Sequence, residues 1–256
     1  PGPADARDTG AAVYLAGYFL AETLLARHLR TLIETPRTVR EIDAARAIPW
    51  LEAKLGIVLA EKQVEAIRAV AGHKVLVVTG GPGTGKTTII NAMIHVFAGL
   101  RKKILLAAPT GRAAKRMTEA TGHEARTIHR LLEYSFQTGG FLRNADAPLD
   151  GDLVIIDEAS MIDTLLMHYL LKAVPPRATF VLVGDVNQLP SVGAGNVLKD
   201  IIDAGVVPVI ELNEIFRQAG ESSIVVNAHR INAGQMPALA TSRERLDDFY
   251  FIEQED

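Results

Sequence analysis

The sequence predicts an α/β fold: a parallel β-sheet sandwiched by helices, preceded by a helical segment and carrying a small inserted β-hairpin. Two observations carry this. Short apolar runs rich in Val and Ile fall at residues 74–79, 104–108, 153–156, 179–183 and 206–210, with helical stretches between them. Strands buried on both faces have this composition, and intervening helices make βαβ units whose strands run parallel. The second observation is punctuation. Glycine-rich or polar motifs follow the runs, at the carboxyl ends where open parallel sheets bind their ligands.

Length and composition agree. The 256 residues, 48% hydrophobic and 22% charged, suffice for a substantial core in one large or two modest domains, and exclude a chain disordered beyond its ends. The absence of cysteine excludes a disulfide framework and a thiolate metal site, and fits a reducing cytoplasm.

Residues 1–72 read as helical. Val13, Leu15, Phe19, Leu20, Leu24 and Leu25 recur at helix spacing, and Pro36 and Pro49 punctuate the segment. Residues 11–21 are apolar and follow Arg7, as in a secretory signal. Asp5 and Asp8 oppose that, and the pattern continues through Glu22 and Arg27 as an amphipathic helix. It is shorter than the roughly 20 apolar residues that span a bilayer, so no membrane segment is expected. Trp50, the single tryptophan, reads as a packing anchor.

The first run leads into Gly80-Gly81-Pro82-Gly83-Thr84-Gly85-Lys86-Thr87, which matches G-x-x-x-x-G-K-[ST] at every fixed position. Glycines let the backbone curl so that successive N–H groups point at a phosphate, and the helix starting near Lys86 adds its positive end. Lys86 is placed to reach the β- and γ-phosphates and the Thr87 hydroxyl to ligate Mg²⁺. The expected ATP contacts here are Gly81, Pro82, Gly83, Thr84, Gly85, Lys86, Thr87 and Thr88.

The run at 153–156 ends in Asp157-Glu158. After a strand such a pair is often only a polar loop start. Following a full phosphate loop, it reads as a magnesium-holding acid, Asp157, beside a general base, Glu158.

Net charge is −3 overall, yet residues 101–130 hold eight basic residues against Glu119 and Glu124, a local +6. A basic segment in a near-neutral protein suits phosphate-backbone binding, and equally a solvated helix face. Residues 134–144, with Gly139-Gly140 at their middle, read as an inserted β-hairpin.

The ordered motifs resemble a superfamily 1 DNA helicase of the RecD-like (5′→3′) group, over residues 59–234. Leu59-Ala60-Glu61-Lys62-Gln63 resembles the Q motif, which makes Gln63 an adenine contact. Ala108-Pro109-Thr110-Gly111-Arg112-Ala113-Ala114 resembles motif Ia, and Thr127-Ile128-His129-Arg130 the next DNA-contacting motif. Gly184-Asp185-Val186-Asn187-Gln188-Leu189-Pro190-Ser191-Val192-Gly193 resembles motif III, and Leu212-Asn213-Glu214-Ile215-Phe216-Arg217-Gln218 motif IV.

The resemblance implies a RecA-like motor domain over residues 73–235, with the 179–183 strand between the phosphate-loop and acid-pair strands. It implies that Gln188 and Arg217 face the γ-phosphate, completing a catalytic set with Lys86, Asp157 and Glu158. Implied DNA contacts are Pro109, Thr110, Arg112, Thr127, His129, Asn187, Leu189, Pro190, Ser191 and Val192. Implied partners are single-stranded DNA, duplex junctions and a second RecA-like domain, with ATP and Mg²⁺ as cofactors and DNA repair or recombination as the setting. The hairpin would act as a pin that splits the duplex. Tyr134, Phe136 and Phe141 are the few aromatic platforms near the basic segment, so phosphate contacts should supply most affinity.

Nothing after Gly234 supplies second-domain motifs, and residues 236–256 are expected to be the incomplete start of a following region. A fragment lacking that domain's arginine should hydrolyse slowly, by a factor on the order of 10³. A nucleotide-gated switch on nucleic acid or on a protein partner is the alternative. A small-molecule kinase leaves Gln188 and Arg217 unexplained.

Overall fold

The computed structural model describes residues 13–36, 42–214, 222–239 and 248–249. Its strands are β1 (Val75–Gly80), β2 (Ile104–Ala108), β3 (Ala125–Thr127), β4 (Tyr134–Ser135), β5 (Gly140–Phe141), β6 (Leu153–Ile156), β7 (Thr179–Gly184) and β8 (Val209–Leu212). Six of them form one sheet in the order β3-β2-β6-β7-β1-β8, and every neighbouring pair is parallel. The strand at 179–184 therefore lies between those that carry the phosphate loop and the acid pair.

Successive side chains of a strand point to opposite faces, and the core divides accordingly. One layer joins Val75, Val77, Val154, Ile156, Phe180 and Leu182 to α1 (Ala16–Glu34), α7 (Thr164–Ala173) and α8 (Val197–Asp203). The other joins Leu76, Val78, Leu153, Ile155, Val181 and Val183 to α2 (Ala44–Leu55), α3 (Glu61–Gly72) and α4 (Lys86–Gly99). Every residue of β1, β6 and β7 is buried. That is why these strands read as unbroken apolar runs.

The structure corrects several expectations. The last strand spans Val209–Leu212 rather than 206–210, because it starts where pairing with Val77 begins. β3 is a sixth strand that the apolar pattern does not reveal. It is an edge strand of three residues with none fully buried, so Ala125, Arg126 and Thr127 need no hydrophobic run. In α1 the buried residues are Ala21, Leu25, Leu29 and Leu32, whereas Val13, Leu15, Phe19 and Leu20 are exposed. Pro49 lies inside α2 without ending it. It removes the bond an N–H there would give to the Ala45 carbonyl, while Leu51, fully buried, keeps the helix on the core. Trp50 is 45% exposed, with its ring edge against Gly99.

The hairpin is present, as β4 paired antiparallel with β5. Gly139 turns the chain at φ +65°, and its N–H donates to the Ser135 carbonyl at 2.9 Å. Between β3 and β4 a short helix, α6 (Ile128–Leu131), is capped by the Thr127 hydroxyl. Among the described residues no helix is long and apolar enough to cross a membrane.

Candidate functional site

The loop between β1 and α4 forms because its glycines satisfy two different demands. Gly83 and Gly85 have φ of +74° and +84°, in the left-handed region that side chains disfavour. Gly80 and Gly81 are needed for space: a Cβ on Gly80 would lie 2.6 Å from the Leu212 carbonyl, and one on Gly81 2.6 Å from the His229 ring. The buried Thr84 hydroxyl donates to the Gly81 carbonyl at 2.9 Å and fixes the curl. Among the described residues, the N–H groups of residues 83–88 donate to no backbone carbonyl. Free N–H groups on a glycine-rich turn that opens a helix make an anion cradle. The Lys86 ammonium donates to the Gly80 and Gly81 carbonyls at 2.5 and 2.9 Å, so it lies along the same loop. Thr88 follows on α4, half-buried.

β6 delivers the two acids. The Asp157 N–H donates to the Ala107 carbonyl at 2.9 Å, continuing the ladder with β2. The Asp157 Oδ1 accepts from the Glu158 N–H at 2.9 Å. Glu158 has φ +53° and ψ +41°, a left-handed conformation that costs a non-glycine residue roughly 1–2 kcal/mol. This turn sends the Glu158 side chain away from Asp157 and toward α5 (Gly111–Thr121), where its Oε1 accepts from Arg116 Nη2 at 2.7 Å.

The electrostatics of the pair follow burial. Burial pushes the Asp157 carboxyl above the usual carboxylate range, and the Glu158 charge adds to that push. The Glu158 N–H, Lys86 and Arg116 pull it part of the way back. Burial likewise lowers the Lys86 ammonium, against the opposing charges of Asp185, Glu158 and Asp157. Burial makes the charged form of each group costly, a cost that an anion would offset at Lys86 and a cation at Asp157.

One cleft of about 660 Å³ is lined by Gly83, Lys86, Thr87, Asp157, Glu158 and Gln188, together with Arg116 and Met117 from α5. Thus four candidate catalytic residues and the candidate magnesium ligand Thr87 meet in one place. They come from the ends of β1, β6 and β7. A second cleft, of about 310 Å³, lies on the other side of the loop, over Asp185, Asn187, Glu211, Asn213 and His229. Pro82 and Gln188 line both.

Gln63 lines neither cleft. Its Oε1 accepts from the Ala60 N–H at 3.1 Å, capping α3, while its buried Nε2 has no partner among the described residues. The candidate γ-phosphate contact Arg217 lies outside the described residues.

The candidate strand contacts occupy the ends of β3, β2 and β7. Thr110 caps α5 by accepting from the Ala113 N–H, with Pro109 half-buried before it. Arg112 and His129 are exposed, and Thr127 caps α6. After β7, Asn187, Gln188, Leu189 and Pro190 are exposed, and Leu189 and Val192 present apolar side chains to solvent. The Ser191 hydroxyl instead turns inward, donating to the Gly193 and Gly195 carbonyls at 2.8 Å. The basic segment is less free than its sequence suggests. Lys102, Lys103, Lys115, Arg116 and Arg126 all pair with carboxylates. Among the described residues Arg112 and Arg130 have none within ion-pair distance.

A family model described as an AAA domain matches residues 63–194, just over half of the chain. The chain belongs to this AAA domain family. The matched span runs from Gln63 through the phosphate loop and the acid pair to the loop after β7, so it contains both walls of the larger cleft. The chain is 42% identical over 246 residues to the ATP-dependent RecD2 DNA helicase of Deinococcus radiodurans, covering 96% of this chain and 33% of that protein. It is 32% identical over 274 residues to the RecBCD enzyme subunit RecD of Mycobacterium tuberculosis, covering 95% of this chain and 45% of that one. The AAA domain chain thus spans less than half the length of these relatives. Its fold is that of a crystal structure of Pif1 helicase from Candida albicans, with TM-score 0.53 at 24% identity over 71% of this chain and 45% of that one. The architecture is accordingly the RecA-like P-loop fold.

Three residues of this AAA domain escape sequence reasoning as site members. Asp185, 3% exposed, stands among the acids that face Lys86. His229 donates its Nε2–H to the Pro82 carbonyl at 3.1 Å. Arg116 holds Glu158. Asp185 had a signal, its place ahead of Gln188 in a recognised motif. The other two pair across 147 and 42 residues, a separation that no local pattern encodes.

Proposed function

We propose that this chain is the first motor domain of an ATP-dependent DNA helicase of the RecD-like group, which hydrolyses ATP with Mg²⁺ to move on single-stranded DNA. The observation that carries this is the shared position of Gln188. It lines the cleft with Lys86, Thr87, Asp157 and Glu158, and it begins the exposed loop holding Leu189 and Val192. One loop therefore reaches both a nucleotide and a strand.

The shared cleft supports the roles of Lys86, Thr87, Asp157, Glu158 and Gln188, and the resemblance to the RecD-like group supports the others. The free N–H groups of residues 83–88 and the Lys86 ammonium bind the phosphates. Mg²⁺, when bound, would supply charge neutralisation for the phosphates. Thr87 and Asp157 are hard oxygen donors in one cleft and fit the few protein ligands Mg²⁺ takes beside phosphate. Glu158 orients and deprotonates the attacking water, and Gln188 senses the γ-phosphate. Gln63, whose Nε2 is a buried donor lacking an acceptor among the described residues, serves adenine, and Arg217 contacts the γ-phosphate. Pro109, Thr110, Arg112, Thr127, His129 and the loop 187–192 line the strand, and hairpin 134–144 is the pin at the duplex junction. A second RecA-like domain closes the cleft and supplies a further arginine. Such a motor serves DNA repair or recombination in the cytoplasm, with which a cysteine-free chain is compatible.

Binding and turnover separate the residues. Lys86→Ala should lose affinity for a fluorescent ATP analogue by at least about tenfold, since it removes a charge-assisted phosphate contact. Glu158→Gln should keep that affinity while turnover falls by roughly 10²–10⁴. Undiminished turnover in Glu158→Gln would show that another group is the base.

A further inference from the structure

Arg116 is the feature of the cleft that the roles above leave unused. Its side chain is 62% exposed and that of Glu158 17%, so the guanidinium covers the carboxylate from the solvent side. The Glu158 backbone is fixed by its left-handed turn and by the bond between its N–H and Asp157. What remains adjustable is the side chain, and Arg116 decides where it points. Arg116 lies one helical turn beyond Arg112 on α5, on the same face. Arg112 is exposed and lacks an ion-pair partner among the described residues, and Thr110 caps the helix beside it. The first turn of α5 packs through Ala108, Ala113 and Ala114, a cluster of its own. Contacts between alanines bury little apolar area, so this turn can shift against the sheet at small cost.

We infer that Arg116 is a positioning residue for hydrolysis, one that holds the Glu158 carboxylate on the α5 side of the cleft until a strand seats on the first turn of α5. Phosphates gathered by Arg112 and the α5 N-terminus draw Arg116 outward, and the freed carboxylate turns to the attacking water. This rests on the proposal that Thr110 and Arg112 contact the strand. It adds a route by which occupancy of that track sets the rate of turnover.

The test compares Arg116→Ala and Arg116→Lys with wild type in the full-length protein. ATP hydrolysis is measured with and without an oligo-dT strand, alongside strand affinity by fluorescence anisotropy. Arg116→Ala should raise the strand-free rate about fivefold. At 1.36 kcal/mol per decade this matches an exposed pair of about 1 kcal/mol. The strand-stimulated rate should stay within about twofold, so the stimulation ratio collapses, and Arg116→Lys should fall between. Equal stimulation of wild type and Arg116→Ala overturns this inference alone. So does a loss of both rates in Arg116→Ala, which would make Arg116 a catalytic residue. A wild type indifferent to the strand overturns the track, and this inference with it.

Discussion

Asp157 and Lys86 sit among opposite charges, yet burial outweighs those charges for both. For Asp157 the folded-state pKa therefore lies above that of the unfolded chain. Below the unfolded value both states hold the proton and the carboxyl has no effect on stability. As pH rises through the folded value the native state must carry a buried charge, and stability falls. Asp157→Asn keeps the shape and the acceptor for the Glu158 N–H while removing that charge. Its melting temperature should match wild type at about pH 4 and exceed it increasingly toward about pH 7.5. A constant difference across that range would show that Asp157 carries no such burden. At this scale Lys86, Thr87, Asp157 and Glu158 were legible as candidates from their place at strand ends, and Gln188 only from the resemblance of its motif to a known family. Arg116 was not legible, because its partner comes from another strand–helix unit.

At the scale of elements, the loop after β7 is tied to the start of α7. The Thr164 N–H donates to the Ala194 carbonyl at 3.0 Å. A Cβ on Gly193 would lie 2.2 Å from Asp163 Oδ2 and 2.7 Å from Asp163 Cβ. Asp163 also caps α7, accepting from the Leu166 N–H at 2.8 Å. Gly193→Ala must displace that cap, and should cost about 1–2 kcal/mol by urea unfolding. Asp163→Ala should cost a similar amount, and the double variant less than the sum, because both lose the same cap. Strict additivity would show that the glycine does not act through Asp163. Strand identity was readable wherever both faces are buried, as in β1, β6 and β7. β3 was unreadable because an edge strand of Ala, Arg and Thr carries no apolar signature. Helix periodicity reports a stripe and not what covers it, and so Val13 and Leu15 ahead of α1, and Phe19 and Leu20 within it, recur at helix spacing yet are exposed.

At the scale of the whole molecule, the sheet gathers motifs that are far apart in sequence along one edge. β3, β2, β6, β7 and β1 are consecutive neighbours, so candidate strand contacts and candidate nucleotide contacts share that edge. The order of the strands, with β7 between β6 and β1, makes the loop holding Gln188 the physical link between them. Strand and nucleotide binding should therefore be coupled, and ATP hydrolysis by the full-length protein with and without single-stranded DNA measures that coupling. Wild type should be stimulated by about tenfold or more, the scale on which completing a catalytic site acts, while Lys86→Ala stays at background in both conditions. A wild type that hydrolyses ATP at the same rate with and without the strand would contradict the account.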